Sequence, residues 1–435
     1  MKTIKTVWTA LKNIFRLKDQ PLWLRRIFQL YIFVALFAPV IANREPLFML
    51  QDGGWSFPAF QKSAYVIIRD NGSEFSMLRQ AVNWQAVKSD VQIFAPIPYD
   101  ASSSDLLNYN YASPLGKQWA IADISTSELK PISWRSRHWL GTTKTGADVL
   151  AGLIYSTRLS LFIGFFTILI ASFIGICIGS LAGFFGDRTI RVSRTSLLIS
   201  LLLVVPAGFY IFIIPEKIIG PTESENVPAY FTFLKIILFV FILLLPFNLR
   251  LKKISKDSTQ KSWYIPVDTL LSRFIELFLS VPRLILIITL AAISRPSVMS
   301  LIIILGFTSW TGIARMVRAE FIRLKSTGFI EAATSLGLSN SRKIFSHLLP
   351  NAFIPVRVGI IFGIAGAILA EAGLSFLGIG LSPGTVSWGS MMAAGREQFS
   401  AWWLVVFPGL AISVLLIILN RIADQKNQFS QEKLL

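Results

Sequence analysis

Few side chains in this chain could do chemistry, and they lie far apart in the sequence. There are two histidines, His138 and His347, and a single cysteine, Cys177. Protein metal sites draw three or four ligands from close clusters, and the sequence has no Cys/His cluster of that kind. No nucleophile stands in a recognisable pattern with a base, and a lone cysteine excludes a disulfide within the chain. The sequence therefore predicts neither an enzyme active site nor a metal site.

One stretch has the spacing of a phosphate-binding loop. The spacing between Gly141 and Gly146 equals the spacing between the two glycines of that motif. The next residues are Ala147 and Asp148, whereas the motif needs a lysine for phosphate and a hydroxyl side chain for magnesium. We expect no nucleotide site in this chain, and any ATP that drives it must be hydrolysed by another subunit.

Three ionisable side chains fall inside apolar stretches, where such groups usually mark function. Glu276 and Arg283 are seven residues apart, so we expect them to lie on the same helix face but not in direct contact. Either could pair with a neighbouring helix or reach the membrane surface. For Glu371 two interpretations stay open: a carboxylate in a gate or transport pathway, or a hydrogen-bonded structural group.

Residues 329–351 form a polar island between two apolar stretches. Its first helix-forming run stops at Gly337, a residue type that ends helices in a left-handed conformation. A second run begins near Ser339, a helix-capping residue type, and Pro350 is predicted to end it. The pattern predicts two short helices joined at a glycine, which would make a rigid docking surface. An ordinary amphipathic connector is the alternative.

Composition indicates which elements position these residues. The chain is 53% hydrophobic and 15% charged, with a mean hydropathy of +0.59, which is typical of a polytopic membrane protein. Its apolar runs have the length of about 20 residues that a bilayer requires. The net charge of +18 could indicate nucleic acid, but the basic residues cluster beside the apolar runs, as the positive-inside rule describes. We expect membrane lipid and no nucleic acid around this chain.

The apolar runs predict an all-α membrane protein with about eight spans and both termini in the cytoplasm. The predicted order is a cytoplasmic N-terminus (1–26), a first span (27–43), an extracytoplasmic segment (44–155), a second span (159–186), an inserted pair of spans (within 187–266), a core domain (267–421) and a cytoplasmic tail (422–435). The inserted spans are predicted near 196–214 and 232–249. Their number must be even, because an odd number would place the polar island outside the cytoplasm. The two histidines then lie on opposite sides of the membrane.

The polar island resembles the EAA loop of ATP-binding-cassette (ABC) importer permeases, and its ending is similar to the peptide/nickel branch. The matching positions are Glu331, Ala332, Ala333, Gly337, His347, Leu349, Pro350 and Asn351. The resemblance implies a type I importer transmembrane domain of six spans, to which this chain adds the inserted pair. It also implies that this segment, called the EAA loop below (329–351), couples to a partner ATPase. Glu331 would form an ion pair there, and Gly337 would set the angle of the loop.

A second resemblance precedes the second span and implies an external gate region. The family pattern Gly-Thr-Asp-x-x-Gly-Arg-Asp is matched at Gly141, Thr142, Gly146 and Asp148. Thr143 and Ala147 replace the charged residues of the pattern, so a charge interaction of the family's gate is expected to be missing. A plain turn ahead of a helix is the alternative.

The long extracytoplasmic segment carries a third resemblance. Residues 41–47, 55–60 and 94–100 are similar to a branch associated with oligopeptides and peptide-like antibiotics such as microcin C. A lid that takes no part in substrate choice is the alternative.

Together these resemblances imply a C-type permease subunit of an ATP-dependent importer for peptides or peptide-like small molecules in the inner membrane. The expected partners are a second homologous permease, ABC ATPase subunits that bind ATP and magnesium, and an extracytoplasmic substrate-binding protein. The chain itself is expected to bind no cofactor and to catalyse no reaction. Two alternatives stay open: a proton-driven secondary transporter using Glu371 or Glu276, and a non-transporting membrane sensor or scaffold.

Overall fold

The computed structural model describes residues 21–189, 191–193 and 262–432, apart from short gaps between residues 52 and 88 and at 124–127. The chain forms two compact units, Met1–Ser180 with Glu276–Leu435, and Leu181–Ile275. The predicted inserted spans near 196–214 and 232–249 lie outside the described residues, as does most of the predicted N-terminal segment (1–26).

Helices dominate the described residues, as the sequence predicts. In chain order they are α1 (Leu22–Ile41), α2 (Val149–Phe185), α3 (Val267–Ser280), α4 (Arg283–Ile293), α5 (Val298–Lys325), α6 (Gly328–Ser335), α7 (Asn340–Phe376), α8 (Trp388–Glu397) and α9 (Trp403–Glu432). Five of them, α1, α2, α5, α7 and α9, are long and apolar enough to cross a membrane. The pair α3–α4 makes a sixth span if its two parts, bent by 76°, are counted together.

The second span begins earlier than the apolar run indicates. Helix α2 starts at Val149, not near residue 159, because Asp148 caps it: Asp148 Oδ1 accepts a hydrogen bond of 2.6 Å from the Ala151 amide. Helix α2 therefore begins within the predicted extracytoplasmic segment 44–155.

The core of the larger unit forms around α7, which packs against α5, α8 and α9. One buried cluster joins Ile163 of α2, Ile287 of α4, Leu305 of α5 and Leu374 of α7. Helix α2 approaches α5 very closely, since a Cβ added at Gly179 would lie 2.4 Å from the Ala314 carbonyl oxygen. The helix interface therefore leaves no room for a larger side chain at this point.

The segment between α1 and α2, called the cap below (residues 42–148), contains short antiparallel strand pairs. Its strands are β1 (Phe48–Gln51), β2 (Gly54–Ser56), β3 (Tyr65–Asp70), β4 (Ser73–Leu78), β5 (Val91–Ile93), β6 (Trp119–Asp123) and β7 (Glu128–Pro131). Strand β1 pairs with β2 and β5, β3 with β4, and β6 with β7. The cap is tied to the helices by hydrogen bonds from the Tyr155 hydroxyl to the Ala42 carbonyl (3.0 Å) and from Trp403 Nε1 to the Thr142 carbonyl (3.1 Å).

The smaller unit brings together the two ends of the stretch 194–261. Strand β8 (Arg191–Ser193) pairs antiparallel with β9 (Ser262–Tyr264), with Val192 opposite Trp263. Beside this ladder, Asp187 accepts hydrogen bonds from the Thr269 amide (2.9 Å) and hydroxyl (2.7 Å). The chain therefore leaves and returns at one place.

Candidate functional site

The EAA loop contains one short helix, α6, whose C-terminal end is fixed by backbone geometry. Gly337 has a φ of +71°, the left-handed conformation that the sequence predicts. The Gly337 amide donates to the Thr334 carbonyl (3.0 Å) and the Leu338 amide to the Ala333 carbonyl (3.1 Å). This pair of bonds is a Schellman motif, which satisfies carbonyls that a helix end leaves unpaired. Gly337 thus sets the direction in which the chain leaves α6.

Helix α6 has one buried and one exposed face. Ile330 and Ala333 are each 5% exposed and pack inward, whereas Glu331 and Ala332 point to the surface. Leu336, at the end of the same helix, is 79% exposed. A helix anchored by apolar residues on one side presents a carboxylate beside uncovered apolar surface on the other.

The prediction for the second half of the EAA loop is wrong in one respect, because Pro350 does not end a helix. From Asn340 to Phe376 the chain is one helix of 37 residues, with a π-helical segment at Lys343–Leu348 directly before the proline. Proline cannot donate a backbone hydrogen bond, and the altered bonding of a π segment accommodates it. The Asn351 side chain donates to the His347 carbonyl at 2.7 Å. The EAA loop therefore runs without a break into the long helix α7.

At the other end of the helices, the cap holds a buried group of charged side chains. His138 is fully buried, and its Nδ1 lies 2.8 Å from Asp148 Oδ2 while its Nε2 lies 3.2 Å from Asp105 Oδ2. Asp148 is 2% exposed and Asp105 is 22% exposed. Tyr99 stacks on the imidazole with ring centres 4.2 Å apart. Since both ring nitrogens face carboxylate oxygens, the ring donates two hydrogen bonds when it carries both protons.

We call this group the cap cluster; it consists of Tyr99, Asp105, His138 and Asp148. The pKa shifts of its members agree with its geometry. Burial alone would lower the pKa of His138, but hydrogen bonds to Asp105 and Asp148 and their charges raise it above its usual value. Burial alone would raise the pKa of Asp105. Hydrogen bonds, of which the one with His138 is the strongest, and the charge of His138 hold the pKa of Asp105 below its usual range. The cap cluster is thus a buried ion pair network that depends on a protonated histidine.

The residues of the predicted gate region build the frame of the cap cluster. Gly146 has a φ of +82°, and a Cβ there would lie 2.0 Å from the Asp105 carbonyl oxygen. The Thr142 hydroxyl donates to the Asn108 carbonyl at 2.8 Å and accepts from the Ala112 amide at 2.9 Å. Gly141 has the same left-handed φ of +82°. These positions hold the loop around His138 in a single conformation.

Thr143 and Ala147, which replace the charged residues of the family pattern, are also accounted for. The Thr143 hydroxyl accepts a hydrogen bond from the Ala147 amide at 3.1 Å, and the Thr143 amide donates to the Ala147 carbonyl at 2.9 Å. Neutral hydrogen bonds therefore close this turn.

Sequence reasoning placed Asp148 near the gate but missed its partners. Asp105 lies 33 residues before His138, and Tyr99 lies further still. No local periodicity links residues across such a loop. A signal was available in the backbone requirement at Gly146, but it does not identify the residue that approaches.

Residues 261–428, which include the last strand, the helices α3 to α8 and most of α9, match the family described as the binding-protein-dependent transport system inner membrane component. This segment is therefore similar to that permease family. The matched segment contains the whole EAA loop.

Curated relatives agree with this assignment. A putative peptide transport system permease protein of Brucella suis is 42% identical over 164 residues, which cover 38% of this chain and 55% of the relative. The inner membrane ABC transporter permease protein YejE of Escherichia coli is 25% identical over 94% of this chain and 92% of its own length. The dipeptide transport system permease protein DppC of Alkalihalophilus pseudofirmus is 27% identical over 66% of this chain and 70% of its own. The chain thus spans about half of the Brucella relative and most of YejE.

Glu371 lies at the centre of the permease bundle. It is fully buried in α7, where Oε2 accepts a hydrogen bond from the Ser160 hydroxyl of α2 (3.1 Å) and Oε1 accepts one from the Ser375 hydroxyl (2.8 Å). A carboxyl group satisfied in this way joins two helices. This geometry agrees with the structural interpretation, and the pathway interpretation stays a prediction.

The expected relation between Glu276 and Arg283 is wrong. They lie on α3 and α4, which are bent by 76° relative to each other at Val281 and Pro282. A proline disfavours helical geometry in the residue before it, so the apolar run breaks at this point. Arg283 donates to the Ser309 hydroxyl of α5 at 2.7 Å, and Glu276 is exposed. The two side chains share no helix face.

Proposed function

We propose that this chain is the membrane permease subunit of an ATP-dependent importer for peptides or peptide-like small molecules. It would assemble with a second homologous permease, with ABC ATPase subunits that bind ATP and magnesium, and with an extracytoplasmic substrate-binding protein on the cap side. The names of its relatives support the peptide class, and the family match supports the role of a transport subunit. Catalysis would reside in the ATPases.

The observation that carries the proposal is the exposed face of α6. This helix offers Glu331 and Ala332 beside the uncovered side chain of Leu336, while its other face is buried. A rigid helix with an uncovered apolar and acidic surface suits insertion into a groove of a protein partner. Only Ser326 and Thr327 separate α6 from α5, and α7 follows on the other side. A displaced α6 would therefore move two spans with it.

Charge and topology support the EAA loop on the cytoplasmic side. Basic side chains surround it at Arg323, Lys325, Arg342 and Lys343, as the positive-inside rule requires of a cytoplasmic loop. Strands β8 and β9 bring the two ends of the stretch 194–261 side by side, which supports the proposal of an even number of inserted spans. With two spans there, the total is eight and both termini are cytoplasmic.

The mechanism follows from the rigidity of these connections. Closing of the ATPases would carry α6 as a rigid body, and α5 and α7 would transmit the movement across the bilayer. The bundle would alternate between openings on its two sides. Gly337 would fix the angle at which α6 meets α7.

Co-purification with the charge reversal Glu331→Lys tests the docking surface. We expect the native complex, solubilised gently from cells, to contain an ATPase that is reduced at least tenfold in the variant, because a carboxylate in a protein interface is replaced by a repelled cation. Glu397→Lys, an exposed reversal on α8, is the matched control and should retain the ATPase. Equal ATPase recovery from wild type and Glu331→Lys would refute the docking role.

A further inference from the structure

A cavity of about 710 Å³ opens at the cap end of the helices, far along the chain from the EAA loop. It is lined by the cap, by the first turns of α2 and by the residues that precede α8; the lining includes Glu45, Asp100, Tyr155, Arg158, Phe162 and Val386. Its volume is in the range of small-molecule binding sites, which are typically about 300–1,000 Å³. The cavity is separate from the EAA loop and from the cap cluster.

The cavity contains a positively charged side chain, Arg158, and a negatively charged one, Asp100, that can each bind a ligand. Arg158 is exposed and makes no ion pair with any residue that the structure describes. Asp100 is held in place by its Oδ1 atom, which accepts from the Ser102 amide (2.7 Å), the Ser102 hydroxyl (2.9 Å) and the Ser103 amide (2.6 Å). Its Oδ2 atom accepts no hydrogen bond from the described residues. A guanidinium and a fixed carboxylate oxygen are thus both available to a ligand.

Glu45 adds a second carboxyl group to the lining, and apolar side chains supply another part of it. Phe162 is 44% exposed and Val386 contributes a second apolar surface. Tyr155 lies within electrostatic range of Asp100 and Arg158, and its hydroxyl is already bonded to the Ala42 carbonyl. The polar recognition groups are therefore few and converge on one space, as in preformed ligand sites.

We propose that this cavity binds the charged ends of a short peptide, with Arg158 taking the carboxylate and Asp100 the ammonium group. The inference rests on the proposed function and adds a binding site within the permease itself. A simple anion would leave Asp100 without an ionic partner, and a simple cation would leave Arg158 without one. A zwitterion with apolar side chains pairs with both charges and also covers Phe162 and Val386.

Binding to the purified full-length chain tests the site directly, with trialanine, its C-terminal amide and its N-acetyl derivative as probes. We expect wild type to bind trialanine about tenfold more tightly than either derivative, the amount that one charge-assisted hydrogen-bonded pair supplies. Arg158→Gln should lose the preference over the amide but keep the preference over the N-acetyl form. Asp100→Asn, which keeps an acceptor for the Ser102 and Ser103 amides, should do the reverse. Arg135→Gln, an exposed arginine outside the cavity, should change nothing.

Uptake of labelled trialanine by cells with and without this chain separates this inference from the proposed function. Binding with the expected preferences but no chain-dependent uptake would refute the importer and leave the site standing. Uptake that depends on the chain, together with equal binding of the three probes by wild type or an unchanged preference in Arg158→Gln, would overturn the site. Failure of wild type to bind trialanine would also overturn it.

Discussion

Replacing His138 by glutamine should open the cap locally while the spans stay folded. The imidazole lies between Asp105 and Asp148, and glutamine cannot supply a positive charge or reach both carboxylates. Asp148 also caps α2 through the Ala151 amide. The same substitution therefore leaves a carboxylate buried without its cation and weakens the point where the cap joins the helix.

The burial of the partners sets the magnitude. Asp148 is 2% exposed, and removing one partner of a buried ion pair costs about 3–5 kcal/mol. Asp105 is 22% exposed, so solvent screens its share, and Asp105→Asn should cost only about 1 kcal/mol. We expect His138→Gln to raise the local opening constant of residues 138–153 by roughly 100-fold to 4,000-fold, since each 1.4 kcal/mol is about tenfold. Asp148→Asn should fall between the two.

Hydrogen exchange of the segment 138–153, measured by mass spectrometry on the purified protein, reports this opening. His347→Gln is the matched control, because that histidine is half-buried in the EAA loop, and it should leave the segment unchanged. Protection in His138→Gln equal to wild type would refute the buried ion pair.

The sign of the pH dependence adds an independent check. The pKa of His138 is raised above its usual 6.5, so its contribution is fully present below pH 6.5 and is lost as the pH rises through the folded value. The pKa of Asp105 is lowered from its usual 3.8, so its contribution is present above pH 3.8 and is lost as the pH falls through the folded value. Protection, corrected for intrinsic exchange rates, should therefore be highest between those values and should decrease on the alkaline side. A flat profile from pH 5 to about pH 9 would contradict a protonated His138.

Two further substitutions test the frame of the cap and the centre of the bundle. Gly146→Ala should destabilise the cap by more than about 2 kcal/mol in thermal unfolding, because the backbone is left-handed and the new Cβ would collide with Asp105. The control is Gly312→Ala in α5, where the new Cβ meets open space. It should be neutral or slightly stabilising. Glu371→Gln should lower the unfolding free energy by less than about 1 kcal/mol and preserve uptake, since an amide still bonds Ser160. Glu371→Leu should lower it by about 2–4 kcal/mol. Loss of uptake in Glu371→Gln with unchanged unfolding would instead favour the proton-driven alternative.

The sequence was most informative where a local rule decides the structure. The left-handed glycine at Gly337 follows from its position after a helix-forming run, and the apolar runs locate the described spans. It misled where two rules compete. Pro350 usually ends a helix, but here a π segment precedes it and the helix continues. At Pro282 the chain instead bends sharply, within a run that hydropathy alone treats as one span.

The cap cluster could not be found from local patterns. Asp105 and His138 meet across a loop, because the left-handed turn at Gly146 allows the chain near Asp105 to approach. Such contacts depend on tertiary packing, which sequence spacing does not encode. The gate residues predicted from family resemblance include Gly146 and Asp148, which lie at this cluster, but the resemblance did not indicate the interaction within it.

Helix α2 connects all the features discussed above, and its packing indicates how they are coupled. Its first turn carries the capping contact with Asp148, the next turns carry Arg158 at the cavity and Ser160 at Glu371, and Gly179 lies against the backbone of α5. Helix α5 leads into α6 through only two residues. Because α2 and α5 approach closely at Gly179, we expect a movement imposed on α6 to pass through α5 to α2. The proposed peptide site would then change shape when the EAA loop moves, without any separate signalling element.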